Sequence, residues 1–351
     1  MSRVSIVLVD TDERYLMPLE LKFINEFGEN GDIVVITEIE YLNEYFSSPK
    51  NIDLLIINEN LYSSELQKHN IQSIFILKEQ LDDQDTGDIS VNSIYKYTSV
   101  KEIYNEIINN TSKAGLKHEF KEAEATKVIM VYSPVGGVGK TVVSIGLSAA
   151  LSRAYKKVLY INTETIQSFS LFFDNEKYMN NGFEKYLLDH DEYLLEYLKA
   201  AIEKDHFDYL LPFRQASCTL NIEMKDYKYL IELIKKERLY DFIILDTSSD
   251  FTMDKSMMMA YSDKNIILTA QDKVSVGKTE KLLLNIDFTD DSKFMFICNK
   301  YNEKEKNEII NGELLSKCAM KEYIGMFKQE DINVETLSED KHFQKLAYVL
   351  I

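Results

Sequence analysis

The run Ser133-Pro-Val-Gly-Gly-Val-Gly-Lys-Thr141 has the make-up of an anion cradle. Glycines let a backbone curl and aim several N–H groups at one phosphate, where a Cβ would block both the turn and the approach. The apolar segment Lys127–Tyr132 before it reads as a strand, and a helix is expected from about Lys140 to Ala154. The loop then opens a helix N-terminus, whose dipole favours negative charge. The spacing gives phosphate contacts to Gly136, Gly137, Val138, Gly139, Lys140, Thr141 and Val142. Lys140 would bridge the terminal phosphates and the Thr141 hydroxyl would sit on Mg²⁺. An ordinary glycine-rich turn accounts for the glycines but not for Lys-Thr at a strand-to-helix junction. Three other apolar runs end in polar groups fit for the same chemistry. Asp241-Phe-Ile-Ile-Leu-Asp246 has the Walker B form, with Asp246 holding Mg²⁺ through water. Val158-Leu-Tyr-Ile-Asn-Thr-Glu164 and Phe294-Met-Phe-Ile-Cys-Asn299-Lys300 are the others.

These groups need a scaffold of parallel strands. Continuous rather than alternating apolar runs, separated by helical spacing, predict sheets covered on both faces. In the second part, strands are expected at 157–161, 209–211, 241–245, 265–268 and 294–298. Helices are expected through 183–204, 226–238 and 342–350. The front part reads as strands at 4–9, 32–36, 53–57, 74–77 and 93–95, with helices at 14–27, 42–46 and 100–108. Five strands in about 110 residues suit a doubly wound domain of the flavodoxin-like order. The expected fold class is α/β with two doubly wound parallel-sheet domains: residues 1–110, a linker at 111–126, and 127–351. Leu81–Asp88 is expected to be an acidic surface loop.

Composition narrows the function. The chain has 351 residues and a net charge of −18, of which residues 1–126 carry −12 and 127–351 carry −6. That balance argues against a general nucleic-acid binder, and no specific nucleic acid is expected as partner. Cys218, Cys298 and Cys318 are widely spaced and odd in number, so no disulfide framework or zinc site is expected and a reducing cytoplasm is the default. The apolar run at the start is too short for a signal peptide, and no stretch approaches the roughly 18 apolar residues of a membrane span.

The loop departs from the ordinary Walker A, because the position six before Lys140 is Pro134 rather than Gly. It resembles instead the deviant loop of the ParA/MinD family, Lys-Gly-Gly-x-Gly-Lys-Thr, and the motifs follow in family order over most of 127–351. The resemblance implies an ATPase with Mg²⁺, a nucleotide-sandwich homodimer, Glu164 in the place of the acid that orients attacking water, and Asn299 against adenine. The family's first acid after the second strand is Asn162 here. The family's first loop lysine, which reaches the partner's nucleotide, is Val135. Catalytic roles therefore fall to Lys140 and Glu164, with slow or absent hydrolysis. If hydrolysis is brisk, Lys273 or Lys278 would substitute in trans. Nitrogenase-reductase-like carriers share the loop class, but the cysteines do not support a bridging cluster.

Residues 1–110 resemble a degenerate response-regulator receiver. Asp10-Thr11-Asp12 stands for its paired acids, Asn58 for its phosphate-accepting Asp, Lys78 for its switch Thr/Ser and Lys96 for its lysine. An amide is a poor nucleophile, so a pseudo-receiver used for protein contact is expected. This layout resembles the TadZ/CpaE proteins of Flp-type (tight-adherence) pilus assembly. It implies an ATP-stabilised dimeric scaffold, cytoplasmic or peripheral at the membrane or pole, that binds pilus or secretion assembly proteins through its front domain. The alternative is a cycling ParA/MinD-type ATPase for membrane or chromosome positioning. The last helix is expected to pack on the sheet, with membrane contact through Phe343, Leu346 and Leu350 as the other reading. The Met257–Met259 run is expected in the core, or else as an adaptable dimer contact.

Overall fold

The computed structural model describes residues 3–80, 91–112, 125–173, 177–180, 182–288, 290, 292–328 and 332–351. The chain divides into two compact units, 1–124 and 125–351.

The front unit runs β1 (Val4–Val9), α1 (Glu13–Phe27), β2 (Gly31–Ile36), α2 (Ile39–Tyr45), β3 (Asn51–Asn58), β4 (Asn70–Lys78), β5 (Val91–Tyr95) and α3 (Val100–Ser112). Its sheet has the order β2-β1-β3-β4-β5, and every pairing is parallel. β1 and β3 are buried nearly throughout, as their uninterrupted apolar runs require. The Asp12 carboxylate caps α1 by accepting from the Tyr15 N–H. Tyr15, Leu16, Leu19 and Phe23 of α1 face inward, and Phe23 meets Tyr104 of α3 edge to face. The expected acidic loop at 81–88 lies outside the described residues. So does most of the expected linker. At its ends, Thr111 continues α3 and buried Thr126 donates its hydroxyl to the Tyr240 carbonyl of the second unit.

The second unit begins with β6 (Lys127–Tyr132), α4 (Lys140–Arg153) and β7 (Val158–Asn162), followed by α5 (Phe183–Leu188), α6 (Leu194–Ala201), β8 (Ile202–Lys204) and β9 (Asp208–Leu210). Next come α7 (Met224–Lys236), β10 (Phe242–Asp246), α8 (Met253–Tyr261), β11 (Lys264–Thr269), α9 (Lys273–Leu283), β12 (Phe294–Tyr301), β13 (Met320–Gly325), α10 (Val334–Glu339) and α11 (Lys341–Leu350). The sheet order is β13-β12-β11-β6-β10-β7-β9-β8, parallel except for the short antiparallel edge strand β8. β6, β10 and β7 are therefore neighbours at the centre, and their carboxyl ends gather in one place.

One expectation needs correction. The helical stretch 183–204 is two helices and a strand, because α6 stops at Ala201 and the chain turns extended to pair with β9. Strand β13 and helices α8, α9 and α10 had no distinct sequence signal. β13 is a half-exposed edge strand with mixed polarity, and α8 has only Lys255, Met258 and Met259 buried. The methionine run is split, since Met258 and Met259 enter the core while Met257 is half-exposed.

α4 is buried on almost every side from Val143 to Leu151, which explains its lack of a polar face. α11 lies against it, with Phe343, Leu346, Ala347 and Leu350 buried. The three residues weighed for membrane contact are thus inside the fold. The close approach depends on Gly146, where an added Cβ would stand 2.5–2.8 Å from three carbons of the Phe343 ring. Gly146→Ala should lower unfolding stability by about 1–3 kcal/mol through overpacking. Urea unfolding of the full chain measures this, and adding Phe343→Leu should recover part of the loss.

Candidate functional site

The phosphate-type loop sits where β6 ends and α4 begins. Gly137 and Gly139 have φ of +70° and +97°, the left-handed region that L side chains avoid. Gly139 is also the N-cap of α4, and a Cβ there would lie 2.4 Å from Asn299 Nδ2. The loop is held from β12 by two donors in succession. Asn299 Nδ2 donates to the Val138 carbonyl at 2.8 Å, and Lys300 Nζ donates to the Gly137 carbonyl at 2.7 Å. Lys300 has φ +57°, a departure that lets both neighbours address the same loop. Gly136 and Gly137 are exposed, while Val138 is buried. Thr141 and Val142 form the first turn of α4 and are half-buried.

Lys140 is 6% exposed and donates to Ser249 Oγ at 2.8 Å. Ser249 in turn donates to the Val135 carbonyl at 3.1 Å. Ser249 lies in the loop after β10, so this relay joins the two loops that flank the site. Ser133 Oγ accepts from the Val135 N–H. Val135 itself offers only an apolar side chain, half-buried against the core.

Asp246 ends β10, fully buried, and sits beside Asn162 of β7 in register. One oxygen is occupied: Oδ2 accepts from Asn162 Nδ2 at 2.7 Å and from the Tyr160 hydroxyl at 2.9 Å. The other, Oδ1, is buried with no well-formed hydrogen bond. Asn162 is spent as a bracket, since its Oδ1 accepts from the Glu164 N–H. Glu164 is half-buried and close enough for its charge to act on Asp246. Burial, and then Glu164, push the Asp246 carboxyl up to about 6, while the Thr141 and Tyr160 hydroxyls and the Lys140 ammonium pull it down. Asn299 also keeps a buried oxygen, Oδ1, without a partner.

The expected residues thus fall together around one opening: the loop, Lys140, Thr141, Glu164, Asp246 and Asn299. An orphaned carboxylate oxygen beside a threonine hydroxyl is the hard-oxygen chemistry Mg²⁺ takes. A left-handed glycine loop on a helix N-terminus is what a polyphosphate takes. Both groups fit. Ser249, Tyr160, Lys255 and Lys300 belong to the same neighbourhood and were not assigned from the sequence. Tyr160 and Lys300 stood within motifs without a role, and Ser249 and Lys255 stood outside them. Cys218, Cys298 and Cys318 are free, and no metal-binding cluster of His, Cys, Asp and Glu occurs among the described residues.

These features make the second unit a P-loop nucleotide-binding domain in its fold. Residues 126–297 match the family described as an AAA domain. The septum site-determining protein MinD of Bacillus subtilis (strain 168) is 24% identical over 161 residues, covering 45% of this chain and 58% of that protein. Among solved structures, a ParA family ATPase from Chlorobium tepidum TLS has a TM-score of 0.53 at 17% identity, over 64% of this chain and 99% of that one. MinD from Pyrococcus horikoshii OT3, complexed with Mg-ADP, has 0.52 at 20%, over 64% and 96%. The second unit accordingly shares the fold of these ParA and MinD structures.

The front unit has its own buried acid at the carboxyl ends of β1 and β3. Asp10 is 1% exposed, and its Oδ2 accepts from Lys96 Nζ at 2.8 Å and Asn58 Nδ2 at 3.0 Å. Its Oδ1 accepts from the Asp12 N–H. Lys96 also approaches Glu79 at 3.5 Å and lies over the Tyr15 ring. Burial pulls the Lys96 ammonium down, but the bonded Asp10 carboxylate outweighs it and holds the pKa above the ordinary lysine value. Both oxygens of Asp10 are taken, and Asp12 is engaged as the cap of α1.

Two measurements test these electrostatics. Lys96→Met leaves Asp10 charged and buried, and should cost about 3–5 kcal/mol of front-unit stability. Adding Asp10→Asn should recover most of it in the same denaturation experiment. In the second unit, a carboxyl raised to about 6 from 3.8 binds its proton more tightly in the folded state. Its contribution to stability is full below about pH 4 and is lost as pH rises through 6. Asp246→Asn should therefore stabilise the ligand-free protein at pH 7.5 by on the order of 3 kcal/mol. The gain should vanish near pH 4 in paired thermal melts.

Proposed function

We propose that the chain is an ATP-binding localisation or scaffold protein whose nucleotide, with Mg²⁺, stabilises a homodimer and is hydrolysed slowly or not at all. The carrying observation is the cradle itself: a left-handed glycine loop, Lys140 at its end, and an open buried oxygen on Asp246. In this reading the backbone of residues 136–142 binds the phosphates and Lys140 spans the terminal ones. Thr141 and Asp246 hold Mg²⁺, which supplies charge neutralisation on the phosphates. Glu164 orients water and Asn299 Oδ1 accepts from the base amine. The valine at 135 supports slow turnover, because it gives no positive charge for the transition state.

The domain division at 1–110, 111–126 and 127–351 belongs to the same proposal, with the front domain a pseudo-receiver that recruits pilus or secretion assembly proteins. In support, its buried acid is closed by Lys96 and an uncharged Asn58, which leaves a docking fold rather than a phosphorylation switch. No helix among the described residues is long and apolar enough to cross a membrane. A cytoplasmic site, with peripheral placement at the membrane or pole through partners, is consistent with that.

The second reading is a cycling ParA/MinD-type ATPase for positioning or partitioning, the work named for the relatives. One observation favours it. Lys273 and Lys278 line an open groove of about 560 Å³ together with Pro134, Ser249 and Phe251, beside the phosphate loop. Cations placed there could serve a partner's nucleotide.

ATP turnover and oligomeric state, read on one sample with Mg²⁺, separate the two. The wild type is expected to dimerise with ATP and turn over near background. Lys140→Ala should lose the nucleotide-dependent dimer, and Val135→Lys should raise turnover about tenfold or more. Brisk wild-type turnover overturns the scaffold reading in favour of the second.

A further inference from the structure

One buried cation near the cradle has no part in the account above. Lys255, in the first turn of α8, has a side chain only 6% exposed. Its ammonium donates to Ser248 Oγ at 2.5 Å, to the Ser248 and Asp250 carbonyls at 3.3 and 3.2 Å, and to Asp250 Oδ1 at 2.5 Å. These acceptors flank Ser249, the residue on which Lys140 rests. Lys255 also lines a cavity of mixed polarity, about 390 Å³, with Thr163, Thr165, Ser248 and Asp254. Thr163 adjoins Glu164 in the chain, and Ser248 lies two residues after Asp246.

Glu164 and Lys140 both act on Asp246 through their charge, so the three carry one net negative charge, and the Lys255–Asp250 ion pair adds none while it stays closed. Magnesium triphosphate brings further negative charge. Lys255 is near enough to feel both Lys140 and Glu164. We infer that Lys255 is a recognition residue for the terminal phosphate: it exchanges Asp250 for the third phosphate group and so makes the site prefer a nucleoside triphosphate over a diphosphate. The inference rests on reading the cradle as an ATP site.

The exchange is physically accessible. Three of the four acceptors are neutral groups of the loop that can stay bonded while the ammonium turns. The fourth, Asp250, is 58% exposed, so its carboxylate returns to water at little cost. The cation is also undercompensated where it stands. Burial, only partly offset by Asp250, together with the nearby Lys140 ammonium keeps Lys255 below the ordinary lysine pKa. An additional anion would relieve that. Movement of Lys255 would carry Ser248 and Asp250 with it, and would release Ser249 from Lys140.

The test is the ratio of MgATP to MgADP affinity in the full chain, by calorimetric titration. Lys255→Met should lose about tenfold or more in ATP affinity, the worth of one charge-assisted hydrogen bond, with ADP affinity within about twofold. Lys255→Arg should restore most of the ratio. Asp250→Asn, at an exposed position, should raise the ratio by freeing the ammonium, and gives a reading even if the methionine variant folds poorly. A structural role alone would weaken both nucleotides alike and leave the ratio unchanged, and an unchanged ratio in these variants overturns the inference. Lys140→Ala separates the failures. If it abolishes binding of both nucleotides while the Lys255 ratio stays fixed, the ATP-site reading stands and the inference falls. If the wild type binds neither nucleotide, both fall.

Discussion

Asp246 is bonded on one oxygen and open on the other, and the second unit's site is arranged around that asymmetry. Tyr160 and Asn162 hold Oδ2, while Oδ1 is buried with no well-formed hydrogen bond. A carboxylate in that state is costly to the fold, which accounts for its raised pKa. The cost is carried by the packing of three parallel strands, β6, β10 and β7, whose register brings Val131, Asp246 and Asn162 to one level. A cation and a polyphosphate are what would relieve it. Stability given up at this point is affinity available to a ligand.

The front unit also places a buried acid at the carboxyl end of a parallel strand, in a smaller doubly wound sheet, and resolves it the other way. Asp10 has every oxygen occupied, by Lys96, Asn58 and the Asp12 amide. Here the chain supplies the counter-ion itself. Two parallel sheets of different strand order thus hold an open acid in one unit and a closed one in the other. The difference lies in two side chains at strand ends, an asparagine on β3 and a lysine after β5.

Much of this arrangement is legible in the sequence, because parallel strands write themselves as continuous apolar runs. Val4–Val9, Asp53–Ile57 and Phe242–Leu245 stand out for that reason, as does the glycine loop before α4. The pieces that escaped are those without periodicity. β13 is an edge strand of mixed polarity, and β8 is three residues that leave a helix to pair with β9. Within the site, the motif residues could be placed by their strand ends. Ser249 and Lys255 could not, since their meaning comes from a loop that folds back on Lys140, a contact between residues more than a hundred positions apart. Asn162 could be seen only as a missing acid. The structure gives it work as a bracket between Asp246 and Glu164.

Lys300 adds a consequence of its own. Side chains on a strand alternate between faces, so Asn299 and Lys300 should point apart. The left-handed turn of Lys300 cancels that alternation, and the end of β12 becomes a two-pronged fork on the consecutive carbonyls of Gly137 and Val138. Those two bonds fix the peptide planes that follow Gly137 and Val138 without any ligand. The entropy of ordering this part of the loop is then spent during folding, and a phosphate bound there would meet a preorganised surface.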